Sequence, residues 1–510
     1  YIPFRSKEGY NQPIYNLYKF APIISNPDKL MIGHNIKFDM NFLEADGLKV
    51  YNQVMDTMGM AHLSNENEFS FALKKLGPKY LGGGDSQMND LDDKLKERGL
   101  KKGQMSFLNS ADISDYAEQD VNLTRQLFEM YTIDLRNQGL LDLCKEFSDY
   151  IKAIADMERY GLPYDKQKCL KFMGEAQIHV NELAEQMLSF GIKNPNSSVQ
   201  ICKALGVKSS AKEVLEQMSG PLVDLIGPYR KWSKVINTYY NTFNEVHDQN
   251  YCIHANLGFT NTITGRLACS NPNLQALPKN SDEYRVRDLI TAPPGFTLVS
   301  FDYSQIELRF LAQYTQSPFL LDVYRKGLDI HTETAEALGI PRDDAKRINF
   351  GIVYGIGKDA LSVQIKKEVG VASGYLTKYH KRIPEIKQLY RECERIARLN
   401  RGIEMWTGRR RHIYEPEEMH KAMSNLIQGG VGEMMRITMT RLYNTLRGSK
   451  VKMLMQVHDE LLFAIPTHEL SYWIQEIKHV MEDYEFSIPI VAECKIGPTW
   501  GNMKKQEVAK

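Results

Sequence analysis

The sequence predicts a chain of more than one domain that mixes helices with strands, and three observations predict it. A length of 510 residues with 43% hydrophobic content can bury several cores. Thr297-Leu-Val-Ser-Phe301, Lys452-Met-Leu-Met-Gln456-Val457 and Leu461-Leu-Phe-Ala-Ile465 are short apolar runs of strand character, and the last two join as a hairpin through His458-Asp459-Glu460. Arg342, Lys346, Phe350 and Tyr354 recur at a spacing of four, which on a helix places all four on one stripe.

A stripe of two cations followed by two rings suits a triphosphate at one end and a base at the other. A solvated helix face with amphipathic stems gives the same spacing. Two acidic turns flank it. Upstream, the first apolar run delivers Asp302 at its end, and Tyr303-Ser-Gln305-Ile-Glu307 then opens a helical pattern. Downstream, Asp459 and Glu460 stand at the hairpin tip. A carboxylate between apolar strands is costly to bury unless it is paired or bound to metal, so two such sites suggest acids converging on cations. Each alone is weak, since Asp is common in turns.

Composition narrows the class without choosing it. Seven scattered cysteines with no CxxC pair argue against a disulfide framework or a zinc site and favour a reducing compartment. No apolar run approaches membrane-spanning length. The net charge is only +1, so nucleic-acid binding has to rest on local charge, with Lys346, Arg347 and Arg409 to Arg411 clustered near the acidic turns.

Elsewhere, a helical pattern over residues 144–158 ends at Tyr160-Gly161-Leu-Pro163, where Gly and Pro mark a turn. Residues 229–239 read as an amphipathic helix whose Arg230, Lys231 and Lys234 can follow a phosphate backbone, or face solvent with equal ease. Gly82-Gly-Gly-Asp-Ser86 and the charged stretch from Asn89 to Lys102 read as a mobile surface segment. The first residue is Tyr1, and the expectation is that a natural N-terminus lies upstream.

Taken together, Asp302-Tyr-Ser-Gln-Ile-Glu307, Arg342-x3-Lys346-x3-Phe350-Gly-x2-Tyr354-Gly and Gln456-Val-His-Asp459-Glu460 resemble motifs A, B and C of the DNA polymerase I family, or family A. Thr264-Gly265-Arg266, Asn271-Pro-Asn-Leu-Gln275, Gly408-Arg409-Arg410-Arg411, Gln428-Gly429 and Gly497-Pro-Thr-Trp500 agree in the family's order, so the resemblance covers nearly the whole chain. Met419-His420 stands where cellular members have Glu-Arg, and a histidine there resembles phage replicative enzymes, which points to a phage-type member. Near the N-terminus, His34-Asn35-Ile-Lys-Phe38-Asp39 resembles the second motif of the proofreading 3′-5′ exonucleases, and Tyr116-Ala-Glu-Gln-Asp120 their third. Their first motif, Asp-x-Glu, has no counterpart before Asn35, so the nuclease centre is expected to be incomplete here, through truncation upstream.

The resemblance implies a fold class of α/β plus α+β. A ribonuclease-H-like exonuclease domain lacking its first motif would span residues 1–135, and a right-hand polymerase 136–510. Within the latter the thumb falls at about 165–250, the palm at about 251–312 and 425–510, and the fingers at about 313–424.

The implied activity is template-directed addition of dNTPs to a primer 3′-hydroxyl by two-metal nucleotidyl transfer, with proofreading in the full-length protein. Asp302 and Asp459 would hold two Mg²⁺, with Mn²⁺ as a substitute, and the Tyr303 carbonyl would join the second ion. Arg342 and Lys346 would bind phosphates, with Lys346 placed to protonate the pyrophosphate. His458 would contact the triphosphate or primer end, and Glu460 would shape the local field. Glu307 resembles the family's steric gate against a ribose 2′-hydroxyl. Phe350 would lie against the sugar, disfavouring dideoxynucleotides as members with Phe there do, and Tyr354 against the templating pair; Gln305 and His331 are further nucleotide contacts. Arg266, Arg287 and Gln428 would read the minor-groove side of the new pair, Gln275 would meet the template, and Arg230 and Lys234 the DNA backbone. Asn35, Asp39, Tyr116 and Asp120 form the exonuclease set, Asp39 and Asp120 as its metal ligands.

The partners implied are primer-template DNA and dNTPs, with no membrane, for a monomer with replisome proteins as further partners, working in the cytoplasm, that of the host for a phage protein. A single-subunit RNA polymerase shares the two aspartates, but Glu307, Phe350-Gly351 and the His458-Asp459-Glu460 turn favour DNA synthesis. An inert DNA-binding scaffold sits poorly with three intact motifs.

Overall fold

Two short strands begin the N-terminal part: β1 (Leu30–Gly33) and β2 (Gln53–Asp56) pair in parallel, joined by the helix α1 (Ile36–Ala45). Parallel neighbours require a crossover of this kind, because a tight turn can only join antiparallel strands. The computed structural model describes residues 1–82, 86–281 and 284–507, the side chains of 86–90, 92 and 102 excepted. β2 runs straight into α2 (Thr57–Ser64), whose first turn is capped by the Asp56 carboxylate accepting from the Met58 amide at 2.9 Å. The same buried carboxylate accepts the amides of Asn35 and Ile36 at 2.9 and 3.0 Å, so one acid ties the start of α1 to the start of α2.

The segment expected to be a mobile surface stretch differs in part. Gly83, Gly84 and Asp85 lie outside the described residues, but Ser86–Glu97 is a helix. Leu91 and Leu95 are buried there against Leu108, at a helical spacing of four hidden among the charges. The long helix α3 (Ser110–Asn137) packs on α2, and α4 (Phe147–Tyr160) follows it. Phe147, Tyr150, Ile151, Ile154 and Met157 are buried on α4, which leaves it little solvent face. Helices of that kind belong inside a protein.

Beyond the Gly161 turn, α5 (Lys166–Leu188) and α6 (Pro221–Lys234) pack as a pair. Their outer end closes on a small core of its own, made of Met187, Ile192, Ile201, Leu222, Ile226 and Tyr229. The helix expected over 229–239 is present, running from α6 through a widened turn at Val235–Tyr240 into Asn241–Val246.

The later elements that build or flank the site are, in chain order, β3 (Phe296–Tyr303), α7 (Ile306–Thr315), α8 (Ile330–Leu338), α9 (Arg342–Val353), the hairpin β4 (Gly402–Glu404) and β5 (Arg410–His412), α10 (Ala422–Thr445), β6 (Lys452–Val457), β7 (Glu460–Pro466), β8 (Ala492–Gly497) and β9 (Lys504–Gln506). Five of these strands form an antiparallel sheet in the order β6-β7-β3-β8-β9. β3 comes first in sequence yet lies in the middle, laddered on both edges. Leu298, Val299 and Phe301 are all inaccessible, as a central strand buried on two faces demands.

α10 touches α4, α7 and the β4 strand. Its approach to α7 depends on Gly430, where a Cβ would sit 2.8 Å from the Phe310 ring. Among the described residues no helix is long and apolar enough to cross a membrane.

Candidate active site

Asp302 is the second-last residue of β3, with Glu460 opposite it on β7 and Glu493 opposite it on β8. Residues opposite one another on an antiparallel ladder face the same side, so three carboxylates stand abreast, an arrangement that is repulsive by itself. Lys495 lies 3.8 Å from Asp302, and Lys505 lies 3.2 Å from Glu493. Glu460 accepts from the Trp500 indole at 3.1 Å and lies 3.8 Å from Arg287. Asp459 sits at the β6–β7 tip, after His458 in a left-handed conformation (φ 57°), and its carbonyl accepts the Tyr303 amide at 3.1 Å. That bond fixes the hairpin tip to the end of β3.

Burial, then the charges of Asp459 and Glu460, push the Asp302 carboxyl up to about 6. Asp459 is raised as well, by burial first, with the Glu307 charge adding to it. Hard oxygen donors in excess of nearby positive charge suit a divalent cation of the Mg²⁺ class, so the residues present fit the metal that the sequence resemblance implies. Glu493 and Lys495 escaped the sequence reading. The alternation of Glu493, Lys495 and Gly497 along a strand was the available signal, but only the β3–β8 register brings Glu493 beside Asp302.

The stripe of four is present on α9. Ala345, Ile348, Ile352 and Val353 turn inward, while Arg342, Lys346, Phe350 and Tyr354 are exposed. Arg342 Nε donates to Asp329 at 3.0 Å, and Asp329 in turn caps α8 through the His331 amide at 2.9 Å. The His331 ring is 5.5 Å from that of Phe350, nearly buried, and bonded through Nδ1 to Asn349 at 3.1 Å. Burial, with Arg342 and Lys346 nearby, holds His331 below its usual range.

Glu307, in the first turn of α7, connects the acids to the stripe. It accepts from Arg266 at 2.5 Å and from the Tyr354 hydroxyl at 2.9 and 3.1 Å. Burial and the Glu307 charge push Tyr354 up to about 12, while a bond from Gln428 opposes them. Asp302, Asp459, Glu307, Arg266, Tyr354 and Gln428 thus form one neighbourhood.

Other expected residues are differently engaged. The Tyr303 ring is buried, with its hydroxyl bonded to Thr438 at 2.7 Å and to the Met481 carbonyl at 2.8 Å, which leaves the main chain alone for any nucleotide contact. Gln305, at φ 53°, accepts from Tyr324 at 3.3 Å. Gln275 is tied to Leu267 and Gln456 at 3.1 Å each. Arg287 bonds the Leu277 carbonyl at 3.0 Å and lies 4.2 Å above the Trp500 ring. Arg230 turns to Ser210 at 2.5 and 2.7 Å, whereas Lys234 is exposed.

The basic cluster around Arg409 to Arg411 needs correction. Arg409 and Arg411 are buried, paired with Glu433 at 3.0 Å and Glu66 at 2.6 Å. Only Arg410 is exposed. Buried acids brought from distant parts of the chain have consumed this charge.

In the N-terminal part, Asn35 is left-handed (φ 59°) and starts α1, and Asp39 reaches the surface one turn later. Burial of its surroundings, with the Asp56 charge adding, pushes Asp39 up to about 6. Asp120 pairs with Lys74, whose ammonium lies 4.2 Å over the Tyr116 ring. Among the described residues no three His, Cys, Asp or Glu side chains form a ready-made metal site, here or at Asp302 and Asp459; here Asp120 is also already paired with Lys74, so Asp39 and Asp120 by themselves do not fit a pair of cations.

Residues 166–502 match the family described as DNA polymerase family A, and residues 7–155 the family described as 3′-5′ exonuclease. DNA polymerase I of Borreliella burgdorferi is 28% identical over 98% of this chain and 60% of its own length. The thermostable DNA polymerase I of Thermus aquaticus is 32% identical over 59% of this chain and 39% of its own. The chain therefore spans only part of the curated relatives it matches. The structure described as the POL domain of Pol1 from M. smegmatis, in complex with DNA primer-template and dNTP, superposes with a TM-score of 0.84 at 21% identity, covering 96% of this chain and 90% of that one. That likeness establishes the expected fold, an exonuclease-type α/β domain joined to a polymerase hand. With more than half of its residues matched by one family, the chain belongs to DNA polymerase family A.

Proposed function

We propose that the chain extends a DNA primer on a template, adding dNTPs to the 3′-hydroxyl. The observation that carries this reading is the shared neighbourhood in which Asp302 feels the charge of Asp459, Asp459 feels those of Glu307 and Arg266, and Glu307 holds both Arg266 and Tyr354 at the end of the exposed stripe. The reading divides the chain at about residue 135, with the exonuclease-type domain before it and thumb, palm and fingers after it. It takes primer-template DNA and dNTPs as substrates of a monomer working in the cytoplasm, with replisome proteins as further partners.

Asp302, Asp459 and the Tyr303 carbonyl would hold two Mg²⁺, which when bound would supply positive charge to lower the pKa of the primer hydroxyl and offset the triphosphate. The chain's own side chains do the rest. Lys346 and Arg342 bind phosphate oxygens from α9, Arg342 exchanging its Asp329 partner for them, and Lys346 delivers a proton to the leaving pyrophosphate. His458 approaches from the hairpin tip, and Glu460 stays bonded to Trp500, acting on the field alone.

Selection falls to Glu307, whose carboxylate occupies the place of a 2′-hydroxyl, and to Phe350 and Tyr354, which close on sugar and base pair, with Gln305 and His331 beneath. Arg266, Arg287, Gln428 and Gln275 face the paired bases, and Lys234 the backbone, which Arg230 joins only by releasing Ser210. Movement of α9 toward the sheet assembles the set around a correct nucleotide. Asn35, Asp39, Tyr116 and Asp120 are the proofreading set, and no hydrolytic step is assigned to them here.

The test is primer extension with Mg²⁺, comparing dNTPs with rNTPs and the parent with Asp459→Ala. Extension by the parent with dNTPs alone, reduced at least about a hundredfold by the substitution, is the expected result. Tight binding of primed template without extension would reduce the protein to a DNA-binding scaffold.

A further inference from the structure

A single buried histidine links the N-terminal domain to the polymerisation site. His62, on α2, is 2% exposed. Its Nε2–H donates to the Thr262 carbonyl at 2.9 Å, and its Nδ1 accepts from Arg409 Nη2 at 3.1 Å. A guanidinium can only donate, so this pattern fixes a neutral ring with its proton on Nε2. Burial first, then the Arg409 charge, push the imidazole down to about 3, which agrees.

The Thr262 carbonyl also accepts the Gly265 amide at 3.3 Å, and the Thr262 hydroxyl donates to the Arg266 carbonyl at 2.7 Å. Residues 262–266 are therefore a turn closed by its own bonds and pinned from outside by His62. Arg409 presses on the same turn. Gly265 has φ +74°, and a Cβ there would lie 2.2 Å from Arg409 Nη1. The next residue, Arg266, is the one that holds Glu307 at 2.5 Å, and Glu307 holds Tyr354.

We propose that His62 is a positioning residue of the polymerisation site. By fixing the 262–266 turn it sets where Arg266 presents the Glu307 carboxylate, and so how strictly the site excludes a ribose 2′-hydroxyl. The inference rests on the polymerase reading above. Its direction is unexpected for a residue of the exonuclease-type domain: the contact serves the choice of incoming sugar and has no part in removing an added one.

Single-nucleotide insertion of dNTP and rNTP on a primed template, by the parent, His62→Leu and His62→Gln, tests it. Leucine keeps bulk and loses both bonds, whereas glutamine can donate to Thr262 and accept from Arg409. His62→Leu should lower the ratio of kcat/KM for dNTP over rNTP by about tenfold, with KM carrying most of the change, and His62→Gln should restore the ratio to within about threefold of the parent. If His62→Leu does not fold, His62→Asn, polar but too short to keep both bonds, carries the same expectation. A folded variant with the parent's ratio, or a fall in melting temperature with that ratio intact, overturns the proposal. A parent that inserts no nucleotide overturns instead the polymerase reading beneath it.

Discussion

Replacing Glu66 by alanine should loosen the seam between the N-terminal domain and the β4–β5 hairpin by about 3 kcal/mol. The Glu66 side chain is 1% exposed and accepts from Arg411 Nη1 at 2.6 Å, the His412 amide at 2.5 Å and His412 Nδ1 at 2.9 Å. Bonds to a charged acceptor contribute about 1.5–3 kcal/mol each, and stranding a buried charge costs about 3–5 kcal/mol. Arg411 keeps Asn67 at 2.6 Å and the His412 carbonyl, which places the loss at the lower end.

Three kcal/mol is a little over two powers of ten, so the population with the hairpin parted rises about 150-fold. Hydrogen exchange of amides in 57–66 and 402–414, followed in the intact chain, reads this population directly. A global melt does not, because parting of the hairpin is a local opening that precedes global unfolding. Glu66→Gln keeps one acceptor oxygen and should fall about halfway. Acid supplies a second check. Burial alone would raise Glu66, but the His412 and Arg411 bonds outweigh it and hold the carboxyl below its usual range. Its contribution is therefore complete above the ordinary carboxylate range and lost as pH falls through the lowered value, so acid should erase the difference between parent and Glu66→Ala. Protection in Glu66→Ala within about 0.5 kcal/mol of the parent at neutral pH refutes the reasoning.

Asp302→Asn should abolish extension and yet stabilise the fold. A carboxyl pushed up to about 6 destabilises the folded state when ionised, by about 3 kcal/mol if fully enclosed and about 1 kcal/mol once solvent screening at a 38% exposed side chain is allowed for. Because the folded pKa is raised, the cost is present above about 6 and relieved below the unfolded value, so melting temperatures of parent and variant should differ at pH 8 and converge near pH 4. Gly265→Ala should cost about 2–4 kcal/mol and slow extension, through the left-handed backbone and the collision with Arg409; a loss of only about 1–2 kcal/mol would mean that the guanidinium moves aside freely, and an unchanged melting temperature refutes both terms.

Much of the candidate site was legible because its signals are local. An acid at the end of an apolar strand run and four residues at helical spacing can be read without knowing what lies across from them, and Asp302, Asp459 and the α9 stripe are where those signals put them. What escaped depends on distant pairing. Arg409 and Arg411 read as free charge, since sequence cannot reveal that Glu433 and Glu66 reach them, the latter from 345 residues away. Glu493 gains meaning only from the β3–β8 register, and Arg230 faces Ser210 because the outer end of the α5–α6 pair folds back on itself. Leu91 and Leu95 were masked by the charges around them, although their spacing was visible.

The small core at the outer end of α5 and α6 has a consequence for how this protein can be rebuilt. Ile192 and Ile201 are buried against Met187 of α5 and Leu222, Ile226 and Tyr229 of α6, apart from the main core, so the loop-and-helix insert and the two helix ends that carry it form one exchangeable unit. α4 is the opposite case, its surface divided among α1, β2, β6 and α10. A chimera spliced between residues 155 and 166, where the two family matches part, would force one helix to fit surfaces inherited from different parents. Foreign sequence belongs in that exchangeable unit, where only two helix ends have to be matched.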